Sequence, residues 1–279
     1  MKLLVTNDDG INSLFLHELI AALQAAGHEL YVVAPMKEQS WTGASKTRGR
    51  PVKSAAVDRG FGCPTWIVDG TPSDCINIAI AHLVPKQGRA ARPGQTTGVG
   101  GARPEQTTCV EGVVSGINMG FNCSLGFILA SGTVAGAWEG ALHGLPAIAA
   151  SQDVSEEIYY RLKEHGGQPE GALLETLKIS ATHTARLAGE LLPATPPRSF
   201  IVHNLNFPDP CRPDTVVKRS VPAHFFAPGL FTPADNEGCH NLIWTEGEDV
   251  SPAELLTDIR CLEQGRISHS VLDYRRLGH

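Results

Sequence analysis

Two short apolar runs, Lys2-Leu3-Leu4-Val5-Thr6 and Leu30-Tyr31-Val32-Val33-Ala34, flank a stretch in which Leu16, Leu19, Ile20 and Leu23 recur at helical spacing. Near-continuous apolar strands suit a sheet that is buried on both faces, and sheets covered by helices on both faces are characteristically parallel. The order strand, helix, strand therefore predicts a right-handed β-α-β unit, with Gly27 ending a helix over residues 14–26. The alternation continues along the chain. Trp66-Ile67-Val68 reads as a strand, followed by a helix through Ile76, Ile80 and Leu83. Val113-Val114 opens a further strand, and Val134, Ala137, Trp138, Ala141 and Leu142 form the apolar stripe of a helix closed by Gly144 and Pro146. Ala147 to Ser151 and Phe200 to Asn204 read as strands on either side of a long helix from Ala172 to Leu192, ended by Pro193. The expected fold class is α/β, a Rossmann-like, doubly wound, mostly parallel sheet.

With 279 residues, 42% of them hydrophobic, the chain can build one large core with a smaller appendage. Residues 1–208 carry the alternating pattern. Within them, 85–109 is rich in Gly, Thr, Gln and Arg and offers little to bury, which predicts a mobile insertion. Lys86, Arg89, Arg92 and Arg103 make it basic, so a cationic lid and a solvated insertion are both open readings. From Asp209 to the end the pattern breaks up among prolines, Phe225, Phe226 and Phe231. Extended arms or hairpins are expected there, packing on the core or on a second subunit.

Charge and composition exclude several classes. A formal net charge of −6 disfavours a partner such as duplex nucleic acid, which calls for a basic face. The seven cysteines are odd in number, dispersed and never in a C-x-x-C pair, which fits a reducing cytoplasm better than a disulfide framework or a zinc site. The eleven histidines show no H-E-x-x-H spacing. No helical run reaches the roughly 20 apolar residues of a membrane span, and Asp8 cuts the first apolar run too early for a signal peptide. The first β-α turn lacks G-x-G-x-x-G, which disfavours the usual dinucleotide enzymes.

Chemistry concentrates where strands end. Asn7-Asp8-Asp9-Gly10 is a polar, Gly-ended cluster that stops the first strand, and ligands of open α/β sheets bind outside the carboxyl ends of strands. Adjacent ionised carboxylates repel, and a divalent cation is the simplest counter-charge, whereas the plainer alternative makes Asp8 a helix cap and leaves Asp9 solvated. Ser40, Thr42, Ser45 and Thr47 lie on a polar loop expected on the same edge. Thr71-Pro72-Ser73-Asp74 spells a capping box with proline at the first helical position. Val113 to Asn122 predicts a short strand ending in a Gly-punctuated turn that presents Asn118 and Asn122. Ser131-Gly132-Thr133 opens a helix, and a helix start beside free N–H groups attracts phosphate.

In this order, Asn7-Asp8-Asp9-Gly10, Ala34-Pro35 with Ser40, Asp69-Gly70-Thr71-Pro72, Gly116-Ile117-Asn118-Met119-Gly120-Phe121-Asn122, Ser131-Gly132-Thr133 and Asn206-Phe207-Pro208 resemble the SurE survival-protein nucleotidases. Leu256-Thr257-Asp258 and the stretch from Gly265 to Leu272 resemble them more loosely. The resemblance implies metal-dependent hydrolysis of phosphate monoesters, chiefly nucleoside monophosphates, while the extended C-terminal region predicts a homodimer or homotetramer. It places the metal ligands at Asp8, Asp9, Ser40 and Asn118, with Asp8, Asp9 and Asn118 as catalytic residues. Asn122, Ser131, Gly132 and Thr133 would hold the phosphate. An all-oxygen shell suits one Mg²⁺ or Mn²⁺ per subunit.

Three features depart from the family pattern. Trp41 stands where the family usually has Gly and would either crowd the site or offer a face for a base. The apolar Cys123 to Ala130 segment and the long 85–109 insertion are the others. All three bear on substrate choice more than on reaction class. A response-regulator receiver would also bind Mg²⁺ through an acidic pair, but it would occupy less than half this chain and needs an Asp that Val114-Ser115-Gly116 does not supply. A haloacid-dehalogenase phosphatase needs a D-x-D spacing. The remaining alternative is a SurE-like protein that binds metal or nucleotide but has altered its substrate or lost hydrolysis.

Overall fold

The computed structural model describes residues 1–87, 107–164, 168–226, 229–243 and 247–276. Its strands are β1 (Lys2–Thr6), β2 (Glu29–Pro35), β3 (Ser54–Ala56), β4 (Thr65–Val68), β5 (Lys86–Gln87), β6 (Thr107–Thr108), β7 (Gly112–Met119), β8 (Ala147–Gln152), β9 (Ile201–Phe207), β10 (Val217–Ser220), β11 (Phe225–Phe226), β12 (Glu248–Asp249) and β13 (Ile267–Asp273). The helices are α1 (Leu14–Ala25), α2 (Pro72–Ile78), α3 (Ser124–Ala130), α4 (Gly132–Leu142), α5 (Glu156–Glu164), α6 (Gly171–Ala194) and α7 (Asp258–Glu263).

Nine strands form one sheet in the order β10-β13-β9-β8-β7-β1-β2-β4-β3. The six from β9 to β4 run parallel, whereas β3 is antiparallel to β4 and β13 to β9, with β10 parallel to β13 at the edge. This is the Rossmann-like α/β arrangement expected from the alternation of apolar runs. Side chains along a strand point to alternate faces. Leu3, Val5 and Val32 accordingly meet Phe15, Leu16 and Leu19 of α1 and Leu177 of α6 on one face. Leu4, Tyr31 and Val33 meet Ile76 of α2 and Val134 and Ala137 of α4 on the other. Burial of this kind outweighs local capping. Among the described residues Ser13 gives α1 no side-chain cap, a contribution of about 1 kcal/mol. The helix nevertheless buries Phe15, Leu16, Leu19, Ile20 and Leu23, each contributing about 1.5–3 kcal/mol.

Capping does decide α2. Thr71 accepts from the Asp74 N–H, Asp74 reaches back to the Thr71 N–H, and Pro72 opens the helix. The helix expected through Ile80 and Leu83 passes into a π turn over Ala79–Leu83, where both are half-buried. Leu142, expected in the buried stripe of α4, is 46% exposed because the helix ends there and the chain reverses at Gly144. β7 continues past Gly116 to Met119, so Asn118 lies on a strand rather than in a turn. Pro193 sits in the last turn of α6, not beyond it.

The region from 209 onward supplies the hairpin β11-β12, as expected, and also two strands of the main sheet, β10 and β13. Most of the 85–109 insertion, including Arg89, Arg92 and Arg103, lies outside the described residues; at its base β5 pairs antiparallel with β6. Among the described residues no single helix is long and apolar enough to cross a membrane.

Candidate active site

β1 has β2 on one side and β7 on the other, so the strand order reverses beside β1. A crevice opens at the carboxyl ends of strands at such a reversal. The local sequence turns the chain sharply there. Asn7 Nδ2 donates to the Gly10 carbonyl at 3.0 Å, and Gly10 takes φ +90°, which a side chain would strain. Asp8 and Asp9 are thereby held at the tip of β1.

Each acid has its own partner. Asp8 is 3% exposed, and its Oδ1 accepts from the Thr133 hydroxyl on α4. Asp9 Oδ2 accepts from the backbone N–H of Met119 at 3.2 Å, which ties it to the end of β7. Gly132 makes the approach of α4 possible, since a Cβ there would lie 2.8 Å from Asp8 Cβ and 2.9 Å from Asp8 Oδ2. The loop bearing Ser40 is drawn in by the Gln39 N–H, which donates to the Asp8 carbonyl at 2.8 Å. Ser40 donates its hydroxyl proton to Glu38 Oε1 at 2.6 Å, which keeps oxygen lone pairs for a cation. Asn118 donates through Nδ2 to the Gly120 carbonyl at 2.6 Å, so its Oδ1 is the atom suited to ligation.

Asp8, Ser40, Asn118, Asn122 and Ser131 line a single cavity of about 320 Å³. These five come from four separate stretches of sequence and meet at one place. Asp9, Gly132 and Thr133 are not among its lining residues. Thr133 and Gly132 pack on Asp8 instead, and the Thr133 hydroxyl serves that carboxylate. Ser131 caps α4, accepting from the Val134 N–H at 3.0 Å. Asn122 is locked from below: its N–H donates to Asn206 Oδ1 at 2.7 Å, its carbonyl accepts from Asn204 Nδ2 at 2.8 Å, and its own Nδ2 donates to Ser151 at 2.8 Å.

Among the other wall residues, Phe121 belongs to the Gly116–Asn122 motif, and Trp41 and Phe127 of α3 belong to the segments expected to bear on substrate choice, whereas Glu156, Tyr159 and Tyr160 of α5, and Leu242 with Ile243 went unforeseen in the sequence. The adjacent tyrosines in an otherwise polar segment were the one available signal. Burial first, and then the charges of Asp9, Tyr160 and Asp8, push the Tyr159 phenol upward, so it keeps its proton. Asp8 and Glu156 place acidic side chains on the walls of the cavity. Among the described residues no lysine or arginine lines it.

The donor set fits a hard divalent cation. Two carboxylates, a hydroxyl and an amide carbonyl are the ligand types that Mg²⁺ and Mn²⁺ take. Among the described residues no group of three or more His, Cys, Asp or Glu side chains could hold a metal, so the hydroxyl and the amide would have to complete the shell.

A parallel α/β sheet with an oxygen-donor cavity at its strand-order reversal defines the class. Comparison with known proteins narrows it. The model of the family "Survival protein SurE" matches residues 3–224, and the chain belongs to that family. It is 34% identical over 270 residues to "5'-nucleotidase SurE 1" of Thermus thermophilus, covering 96% of this chain and 90% of that protein. It is also 34% identical over 215 residues to "5'-nucleotidase SurE" of Thermococcus gammatolerans, covering 77% and 68%. The crystal structure of SurE protein from Aquifex aeolicus superposes with a TM-score of 0.65 at 26% identity, covering 98% of this chain and 93% of that one.

Proposed function

We propose that this protein is a divalent-metal-dependent phosphomonoesterase, a 5'/3'-nucleotidase acting on nucleoside monophosphates. The observation that carries the reading is the meeting of Asp8, Ser40, Asn118, Asn122 and Ser131 in a cavity to which the described residues bring no lysine or arginine. A phosphate dianion entering beside Asp8 needs a positive counter-charge, and the donor set is suited to recruiting one. The Thermus and Thermococcus relatives carry the name 5'-nucleotidase, which supports the nucleotidase part of this reading.

Asp8, Asp9, Ser40 and Asn118 would hold one Mg²⁺ or Mn²⁺ per subunit. When bound, such an ion supplies Lewis-acid charge at a phosphoryl oxygen and lowers the pKa of a coordinated water. Asn122, Ser131 and the N–H groups opening α4 at Gly132 and Thr133 bind and orient the other phosphate oxygens. One aspartate of the pair accepts the proton of the attacking water, while Thr133 fixes the rotamer of Asp8. Residues 1–208 supply every proposed ligand. Residues 209–279 close the cavity through Leu242 and Ile243 and serve assembly of a homodimer or homotetramer in the cytoplasm.

Phosphate release from 5'- and 3'-nucleoside monophosphates, polyphosphate and p-nitrophenyl phosphate, with and without Mn²⁺, tests the proposal. Mn²⁺-dependent release from nucleotides, abolished in D8N and D9N variants that keep a native circular dichroism spectrum, is the expected outcome. Wild-type turnover in either variant refutes the residue assignment. Nucleotide binding without hydrolysis under all these conditions would instead identify a SurE-like protein that has lost catalysis.

A further inference from the structure

The aromatic wall of the cavity contains one residue whose backbone is unusual for its type. Trp41 has φ +62°, in the left-handed region, and it is 42% exposed although it lines the cavity. That conformation costs a bulky residue about 1–2 kcal/mol, and a large exposed ring recovers little of this by burial in the free protein. The indole packs edge-to-face with Phe127 at 5.6 Å between ring centroids. Phe127 in turn meets Phe121 at 6.2 Å and Phe225 at 6.3 Å. Rings supported in this way hold the partly exposed indole on the cavity wall, one residue along the chain from Ser40.

We infer that Trp41 is the specificity-determining residue of the site, a stacking platform that selects phosphate esters whose leaving alcohol carries a flat aromatic group. This rests on the phosphomonoesterase reading above and names the part of the substrate that reading leaves open. Proximity to Ser40 places the platform where the alcohol side of a phosphate ester would lie once its phosphate sits among Asp8, Asn118 and Ser131. Stacking on an aromatic side chain accepts any base, because every base has a π face. The platform therefore predicts weak discrimination between purines and pyrimidines and strong discrimination against small aliphatic esters.

The test compares wild type, W41G and W41F on adenosine 5'-monophosphate, cytidine 5'-monophosphate and glycerol phosphate in Mn²⁺. Glycine is chosen because the φ of Trp41 costs it nothing, so the loop keeps its path. W41G should lower the ratio of kcat/KM for each nucleotide to that for glycerol phosphate about tenfold, mainly through KM, while W41F keeps most of the ratio. An unchanged ratio in W41G, or an equal loss on all three esters, overturns the inference. Equilibrium titration with adenosine 5'-monophosphate, followed by tryptophan fluorescence in wild type and by calorimetry in all three proteins, decides the same point without turnover. Equal affinity in wild type and W41G overturns the platform even if hydrolysis is established, and weaker binding in W41G supports it even if hydrolysis is absent.

Discussion

A methyl group added at Gly132 tests how closely the position of Asp8 is set. The new Cβ would stand 2.8 Å from Asp8 Cβ, 2.9 Å from Asp8 Oδ2 and 3.0 Å from the Gln39 carbonyl, whereas ordinary contact begins at 3.4 Å. Either α4 or the tip of β1 must give by about half an ångström, because close-packed interiors have little slack. Two opposing effects set the stability change. Overpacking costs about 1–3 kcal/mol, and alanine in place of glycine in a helix returns about 0.5–1 kcal/mol. The net cost of roughly 0–2.5 kcal/mol lowers Tm by at most about 10 °C, so the protein stays folded. Activity is more sensitive. A reacting group misplaced by about 1 Å can lose about 100-fold in rate, so half that displacement in Asp8 should lower kcat/KM by about 10-fold. Gly189 is the control, since a Cβ there meets nothing within 4 Å in α6. G189A should raise Tm by about 1–4 °C through helix propensity and leave kcat/KM unaltered. The measurements are nucleotidase kinetics and thermal melts of the three proteins side by side. A G132A enzyme within threefold of wild type would refute the claim that this glycine exists to seat Asp8.

Two further predictions concern charge. Burial alone would raise the Glu139 carboxyl, but hydrogen bonds from His143, Lys46 and Asn77 outweigh that and hold it at about 2. A depressed folded-state value contributes stability that is complete above the ordinary carboxylate range and lost as pH falls toward 2. E139Q should therefore cost about 1–3 kcal/mol at pH 7, with the gap to wild type narrowing below pH 4.5; a gap that widens in acid rules this out. Asp153 has the opposite sign, pushed up to about 6 by burial and then by the charge of Asp209. The folded state holds that proton more tightly than the unfolded chain does, so stability from this group is present in acid and declines as pH rises through 6. D153N should accordingly raise Tm more at pH 8 than at pH 4.5, and the reverse order would refute the assignment.

The parts of the fold legible in the sequence are those whose signal is local or strongly periodic. β1, β2 and β8 are buried nearly throughout and read as continuous apolar runs. The Thr71 capping box is spelled out in four consecutive residues, and the structure makes both of its hydrogen bonds. The missed elements lack such signals. β10 (Val-Lys-Arg-Ser) is mostly exposed at the sheet edge, so its side chains do not declare a core. α3 buries only Ser124 and Ile128, too few for a visible stripe, and yet it carries Phe127 into the cavity. Asn118 and Ser40 could be given a ligand role only by resemblance, because the packing that brings them to the cavity beside Asp8 joins residues far apart in the chain. Tyr159 and Tyr160 reach the cavity through the packing of α5, which spacing within that helix does not reveal.

The buried carboxylates outside the cavity explain how a site assembled from loops keeps its shape. The segment bearing Ser40 and Trp41 has no strand or helix of its own between β2 and β3, and two acids on helices hold it. Asp74 of α2 accepts from the Thr47 N–H at 3.1 Å, and Glu139 of α4 pairs with Lys46 at 2.5 Å. A third acid does the same for the opposite wall. Asp258 at the start of α7 accepts from the Ser124 N–H at 2.8 Å and the Ala223 N–H at 2.9 Å, fixing the first residue of α3 and the approach to β11. Those two elements carry Phe127 and Phe225, the rings that back Trp41. Burying a carboxylate costs free energy unless its oxygens are satisfied by donors, and each of these acids meets the condition with groups from a neighbouring segment. The price of desolvation thus becomes a constraint on where loops can go. A parallel sheet supplies a rigid edge but no walls, and in this chain Asp74, Glu139 and Asp258 convert the loops above that edge into walls.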